Sequence, residues 1–183
     1  MDMSDLSGKF LIAVPTLDDP NFRHTVILLC EHSREGAFGI ILNRVLMNSF
    51  RPLLKAFDLT ESMVDMPIHF GGPVRPEQGY VIYSPYDAKY GAVRVEGGLG
   101  VTTSKEILHD IAAGKGPKKY FFALGFAGWS SNQLEEELLL DSWLVGPVES
   151  ALIFTVPLAE RWKHAAKAIG VDLDRLVPRS GKA

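Results

Sequence analysis

Apolar positions along the chain fall into short runs separated by Gly, Pro and acidic residues, and most runs are too brief for helices. FLIAV (residues 10–14) is the first; Pro15 and the DDPN turn close it, and it predicts a strand. VILLCEH (26–32) predicts a second, whose nearly continuous apolar stretch implies cover on both faces of a sheet. SREGA (33–37) has the polarity and glycine of a hairpin loop, and FGIILNR (38–44) returns as a third strand, antiparallel to the second. Further strands are predicted in MPIHFGGPV (66–74), in YVIYS (80–84), on either side of Gly97 and Gly98, and at 120–126. SWLVGPV (142–148) and ALIFTV (151–156) follow with the same character.

Helical spacing is rarer. Phe50, Leu53, Leu54 and Phe57 predict a short amphipathic helix over 50–59, with Pro52 tolerated in its first turn. Thr103 stands three residues before Glu106 as in a capping box, and Gly114 and Pro117 mark the other end, which predicts a helix over 105–113. A last helix over 158–169 aligns Leu158, Trp162, Ala165 and Ile169 on one face, and Gly170 stops it. About nine strands and about four helices, with no repeat or linker, predict a single α/β or α+β domain with a mixed central sheet.

The stretch GFAGWSSNQLEEEL (125–138) joins a strand to a helix. Ser130 or Ser131 is expected as N-cap and Gln133 as the return partner of a capping box, with Glu135, Glu136 and Glu137 at the positive end of the helix dipole. An anion cradle is the functional alternative, but the loop lacks a GK[ST] ending and three glutamates repel phosphate. A neutral ligand contacting Trp129, Ser130 and Gln133 is compatible with the same residues, and Trp129 is either a stacking platform or a staple on the core. In HFGGPV (69–74), Gly71 and Gly72 suit a tight turn or an amide nest for an anion. Asn43 either caps a turn or bonds a ligand.

Composition narrows the function classes. The chain has 183 residues, 46% of them hydrophobic, a net charge of −3 and a pI near 5.9, so it has no global attraction for nucleic acid or anionic lipid. No helix carries a long basic face, and Lys118 and Lys119 are too few for a nucleic-acid footprint, so direct DNA binding is not expected. Acidic residues replace the basic segment of a secretory leader, and a soluble cytoplasmic protein without membrane contact is expected. Acids crowd residues 131–150, whereas residues 151–183 hold six Lys or Arg against three acids; solvated helix faces are the expected reading, with pairing inside or between molecules as the alternative.

Cys30, Glu31 and His32 invite a nucleophile-and-base reading. In a regular strand Cys30 and His32 share a face and Glu31 does not, and a thiol inside an apolar run is expected to be buried and inert. The single cysteine excludes an internal disulfide, the five histidines lack ligand spacing, and no GxSxG elbow is present. No metal or cofactor is expected, and no motif fixes an oligomeric state.

Taken together, GKFLIAVPTLDDPNF, VILLCEH with GAFGIILNR, HFGGPV, and LGFAGWSSNQLEEEL with its downstream SWL resemble the YqgE/AlgH family of small bacterial proteins, from Gly8 to about Gly170. The resemblance implies a complex α/β fold with a barrel-like or bifurcated sheet surrounded by helices. Family members are often labelled transcriptional regulators, and no catalytic activity is attached to the fold. It also implies that Asn43, Gly71, Gly72, Pro73, Gly128, Trp129 and Gln133 belong to recurring motifs and are candidates for one shared pocket. The expectation is a regulatory module that binds an unidentified small ligand or protein and acts indirectly. The alternative is an enzyme using a pocket near His32 and Asn43.

Overall fold

Ten strands form one sheet in a computed structural model that describes residues 5–60 and 65–177. The chain opens with β1 (Lys9–Ala13), β2 (Val26–Ser33) and β3 (Gly36–Ile41), an antiparallel run in which Phe10 faces Leu28 and Leu28 faces Ile40. Then come β4 (Val45–Met47), β5 (Ile68–Phe70), β6 (Val74–Ser84), β7 (Val93–Val95), β8 (Leu99–Thr102) and helix α1 (Lys105–Ala112). The longest strand, β9 (Lys119–Ser130), leads into α2 (Gln133–Leu139), and β10 (Trp143–Pro147) returns to pair with β1. Helices α3 (Ser150–Phe154), α4 (Arg161–Ala168) and α5 (Leu173–Leu176) follow. The strand order is β10-β1-β2-β3-β9-β6-β8-β7, with β4 and β5 joined beside β9, and the sheet curls into an antiparallel half-barrel.

The sheet branches at β9. Residues Ala127–Ser130 pair with β3, whereas Ala123 and Leu124 pair in parallel with β5 and, on the opposite edge, antiparallel with β6. The chain therefore passes from one edge of β9 to the other through Gly71, Gly72 and Pro73 alone. Only glycine permits so short a crossing. A methyl on Gly72 would overlap the backbone of Phe126, and one on Gly125 would overlap the carbonyl of Gly72; both have positive φ, +154° and +74°. Gly71 donates its N–H to Leu124 O at 2.8 Å and accepts from Ile41 N at 2.9 Å, so its amide is not available to an anion nest.

Alternation in β1 and β2 feeds two cores. Phe10, Ile12, Val26 and Leu28 pack with Leu152, Ile153, Ala165 and Leu173 of α3–α5, while Leu11, Ile27 and Leu29 pack with Trp129, Leu134 and Trp143. This is the cover on both faces that a continuous apolar strand implies. A third cluster sets α1 against β6 through Ile107, Leu108, Val81 and Tyr83.

Several local expectations change. Residues 50–59 form two 3-10 turns, Arg51–Leu53 and Lys55–Phe57, because Pro52 and the left-handed Asp58 confine the segment. ALIFTV is not a strand: residues Ser150–Phe154 are helical and bury Leu152 and Ile153. Ser104 rather than Thr103 caps α1, with Oγ accepting from Glu106 N at 3.2 Å. Asn132, in the left-handed region, precedes α2 in place of a serine cap, although Gln133 Oε1 still accepts from Ser130 N at 3.0 Å. Arg179 and Lys182 of the basic tail lie outside the described residues.

Candidate functional site

The β2–β3 hairpin and the end of β9 build one end of the sheet. Phe38 pairs with Gly128, Ala37 with Trp129 and Gly36 with Ser130, and Ser131 Oγ then donates to Arg34 O at 2.7 Å near the hairpin tip. A bulge interrupts β2 between Leu29 and Glu31. Cys30 stays in the cluster of Val26 and Leu28, but His32 turns to Leu6 and Glu135, whose neighbours belong to the other core. The expectation that Cys30 and His32 share a face fails at this bulge.

His32 is held from both sides. Its Nδ1 accepts from Leu6 N at 3.0 Å, which leaves Nε2 as the protonated nitrogen, and Nε2 donates to Glu135 Oε1 at 2.7 Å. Its own amide donates to Ser7 Oγ at 2.9 Å. Bonds from Ser7 in turn hold the Asp5 carboxyl below the usual carboxylate range.

Two residues further along α2, Glu137 anchors the aromatic cluster. Its Oε2 accepts from the indole N–H of Trp129 at 2.9 Å and of Trp143 at 2.8 Å, and its Oε1 accepts from Gln133 Nε2 at 3.0 Å. The two indoles meet edge to face, with centroids 6.1 Å apart, and Phe22 packs on both. Trp129 is thus a staple on the core, buried to 6% exposure. The glutamate run is not simply a solvated face, since two of its three carboxylates bond buried rings.

Between the hairpin and the N-terminal segment lies a concavity of about 510 Å3, lined by Ser7, Glu31, His32, Glu35, Phe38 and Trp129 among others. Glu31 and Glu35 are exposed and have no ion-pair partner among the described residues. The concavity therefore offers acidic acceptors around a partly apolar floor. It offers no activated nucleophile: Cys30 is buried, and burial pushes its thiol far above its ordinary pKa. Among the described residues no cluster of three or more His, Cys, Asp or Glu could hold a metal ion, and no helix is long and apolar enough to cross a membrane.

The model of the AlgH-like family matches residues 10–174. This chain belongs to the AlgH-like family. A UPF0301 protein of Nitrosococcus oceani is 44% identical over 179 residues, covering 96% of each chain, and one of Methylococcus capsulatus is 40% identical over 96% of this chain and 95% of its own. The solution structure of the AlgH protein from Pseudomonas aeruginosa superposes with a TM-score of 0.78 at 36% identity, covering 100% of this chain and 98% of that one. A crystal structure of a protein from Corynebacterium diphtheriae shares the fold, with a TM-score of 0.74 at 19% identity over 93% of this chain and 91% of that one.

In this AlgH-like chain the seven motif residues fall into three groups. Gly128, Trp129 and Gln133 lie beside the hairpin, and Trp129 borders the concavity. Gly71, Gly72 and Pro73 make the crossing over β9, against Gly125 and Phe126. Asn43 stands on backbone that runs beside the crossing, since Ile41 N donates to Gly71 O and Phe70 N to Arg44 O, but its side chain is used within the fold: Oδ1 accepts from Val26 N at 3.0 Å and Nδ2 donates to His24 O at 2.8 Å. The AlgH-like motifs thus bring the HFGGPV and GFAG backbones together with the Asn43 backbone alongside, while the Asn43 amide is bonded to Val26 and His24. Glu135, Glu137 and Arg44, which bonds the carbonyls of Pro20, Asn21 and Arg23, were not among the sequence candidates, because the partners of Glu135 and Arg44 are distant in the chain and the two indoles meet Glu137 only once the chain has folded.

Proposed function

We propose that this protein is a binding module whose acidic concavity beside Trp129 receives a basic segment of a partner protein, and that any regulatory effect on transcription passes through that contact. One observation carries the reading: Glu31 and Glu35 stand exposed at the concavity with no ion-pair partner among the described residues, while the groups behind them are fixed by His32–Glu135 and by Glu137 with two indoles. Acidic acceptors carried on a paired hairpin suit recognition of a basic segment by charge complementarity. The same charge repels a phosphate backbone, which supports an indirect route rather than contact with DNA. A cytoplasmic setting is the corresponding proposal for where it acts.

Titration of short peptides of graded Lys and Arg content, followed by tryptophan emission, tests this. Binding should be confined to basic peptides, weaken with salt, and fall roughly tenfold in Glu31→Gln/Glu35→Gln, a loss in keeping with two partly exposed charge contacts. Affinity that ignores peptide charge, or survives the double variant unchanged, would remove the concavity as the docking face. Cys30 and His32 lend no matching support to catalysis, because the thiol is buried and both imidazole nitrogens are bonded.

A further inference from the structure

A different cavity, of about 340 Å3, opens at the other end of β9, where β5 places His69 beside Phe121 and Phe122. The His69 ring stacks on Phe121 with centroids 3.9 Å apart, and Nδ1–H donates to Phe122 O at 2.9 Å, which fixes the tautomer and leaves Nε2 as a lone-pair acceptor. The residue is only 6% exposed. No described residue bonds Nε2, and among the described residues no side-chain nitrogen or oxygen is sealed off without a partner. Nε2 is therefore not sealed within the protein, and His69 lines this cavity. An accessible acceptor left unbonded by its own protein is a point of attachment for a donor. Burial, aided by the nearby Arg161 charge and opposed by the bond to Phe122, holds the imidazole pKa down at about 4, so the ring stays neutral at physiological pH.

The remaining walls define what fits. Met66, Pro67 and Phe154 supply apolar and aromatic surface, and Lys118 and Lys119 stand exposed without an ion-pair partner among the described residues. Asp65 shares the lining, its carboxylate bonded to Ser49 Oγ and Phe50 N and paired with Arg51. Two ammonium groups beside a carboxylate already paired with Arg51 favour an anionic ligand.

We propose that this cavity binds a small aromatic carboxylic acid bearing a hydroxyl or N–H donor. The donor bonds His69 Nε2, the ring lies against Phe154 and Met66, and the carboxylate meets Lys118 and Lys119. The site is separate from the acidic concavity and has the opposite charge preference.

The test uses the full chain with 15N-labelled histidine, titrated with the three hydroxybenzoate isomers and with benzoate. At least one isomer should shift the His69 Nε2 resonance saturably and bind about tenfold more tightly than benzoate, the difference expected for one hydrogen bond to a buried acceptor. Lys118→Ala/Lys119→Ala, on an exposed surface, should weaken that isomer by about tenfold or more. His69→Asn offers an amide N–H toward Phe122 O and should abolish the preference for the hydroxyl; if it fails to fold, the isomer series and the lysine variant still decide. Absence of a saturable shift at millimolar ligand, equal affinity for benzoate, or indifference to the lysine variant would each overturn the proposal.

Discussion

Glu137 shows how much a single carboxylate organises here. Its two oxygens accept three hydrogen bonds, two from indoles buried in the core and one from Gln133, and every donor points at an acceptor-only group. Glutamine in its place brings an NH2 that must face either the indole N–H pair or the Gln133 amide, so at least one donor loses its acceptor. We expect Glu137→Gln to destabilise the fold by about 2 kcal/mol, or roughly 4–8 °C in Tm, with little change in secondary structure. Urea denaturation followed by tryptophan emission checks this; an unchanged midpoint would show that the carboxylate does not hold the aromatic cluster. The residue was hidden in the sequence for a physical reason. Three consecutive glutamates at a helix start are adequately explained by the dipole, and the indole of Trp143 reaches Glu137 only after the chain has folded.

Among elements, the crossing of β9 by Gly71, Gly72 and Pro73 is the most demanding. A side chain on Gly72 would have to displace the backbone of β9, which is paired on both edges, so no flexible group can yield. Gly72→Ala is expected to cost about 4 kcal/mol or more and to reduce soluble yield, as overlap with fixed backbone exceeds ordinary overpacking. Gly98→Ala is the control: its φ is also positive, +74°, but a methyl there meets nothing within 4 Å, so about 1–2 kcal/mol is expected from backbone strain alone. Comparable denaturation midpoints for the two variants would show that φ, not the crossing, explains the glycine pair. Elements whose signals are local were legible in the sequence: the β2–β3 hairpin, α1 with its following Gly114, and α4 stopped at Gly170. The segment 151–156 was not, because a short apolar run is compatible with a buried strand or helix and only its packing on β9 and α4 separates them. In the site, Trp129 and Gln133 could be picked out from their motif, whereas the bulge that redirects His32 leaves no trace in the order of residues.

At the scale of the whole molecule, the neutral imidazole of His69 couples folding to pH. In the unfolded chain it titrates near its ordinary 6.5, and in the fold near about 4, with burial as the leading cause. Between these values the unfolded chain binds the extra proton, so stability is fully present above about pH 6.5 and is lost as pH falls toward 4. A shift of this size corresponds to an order of 3 kcal/mol across the full window, of which about 2 kcal/mol should be lost between pH 7 and pH 4.5. Asp58, Asp65 and Asp110, whose carboxyls are held below their ordinary range by bonds to Lys105, Ser49 and Lys89, add losses at lower pH. Comparison with His69→Asn removes them, since they are common to both proteins. Urea unfolding of the two chains at pH 7, 5.5 and 4.5 should show the wild type losing about 2 kcal/mol more than the variant over that range. Parallel losses in the two proteins would mean that His69 is protonated as readily in the fold as out of it. Its Nε2 would then be a donor at mildly acidic pH, and the cavity beside it would have lost the acceptor that selects its ligand.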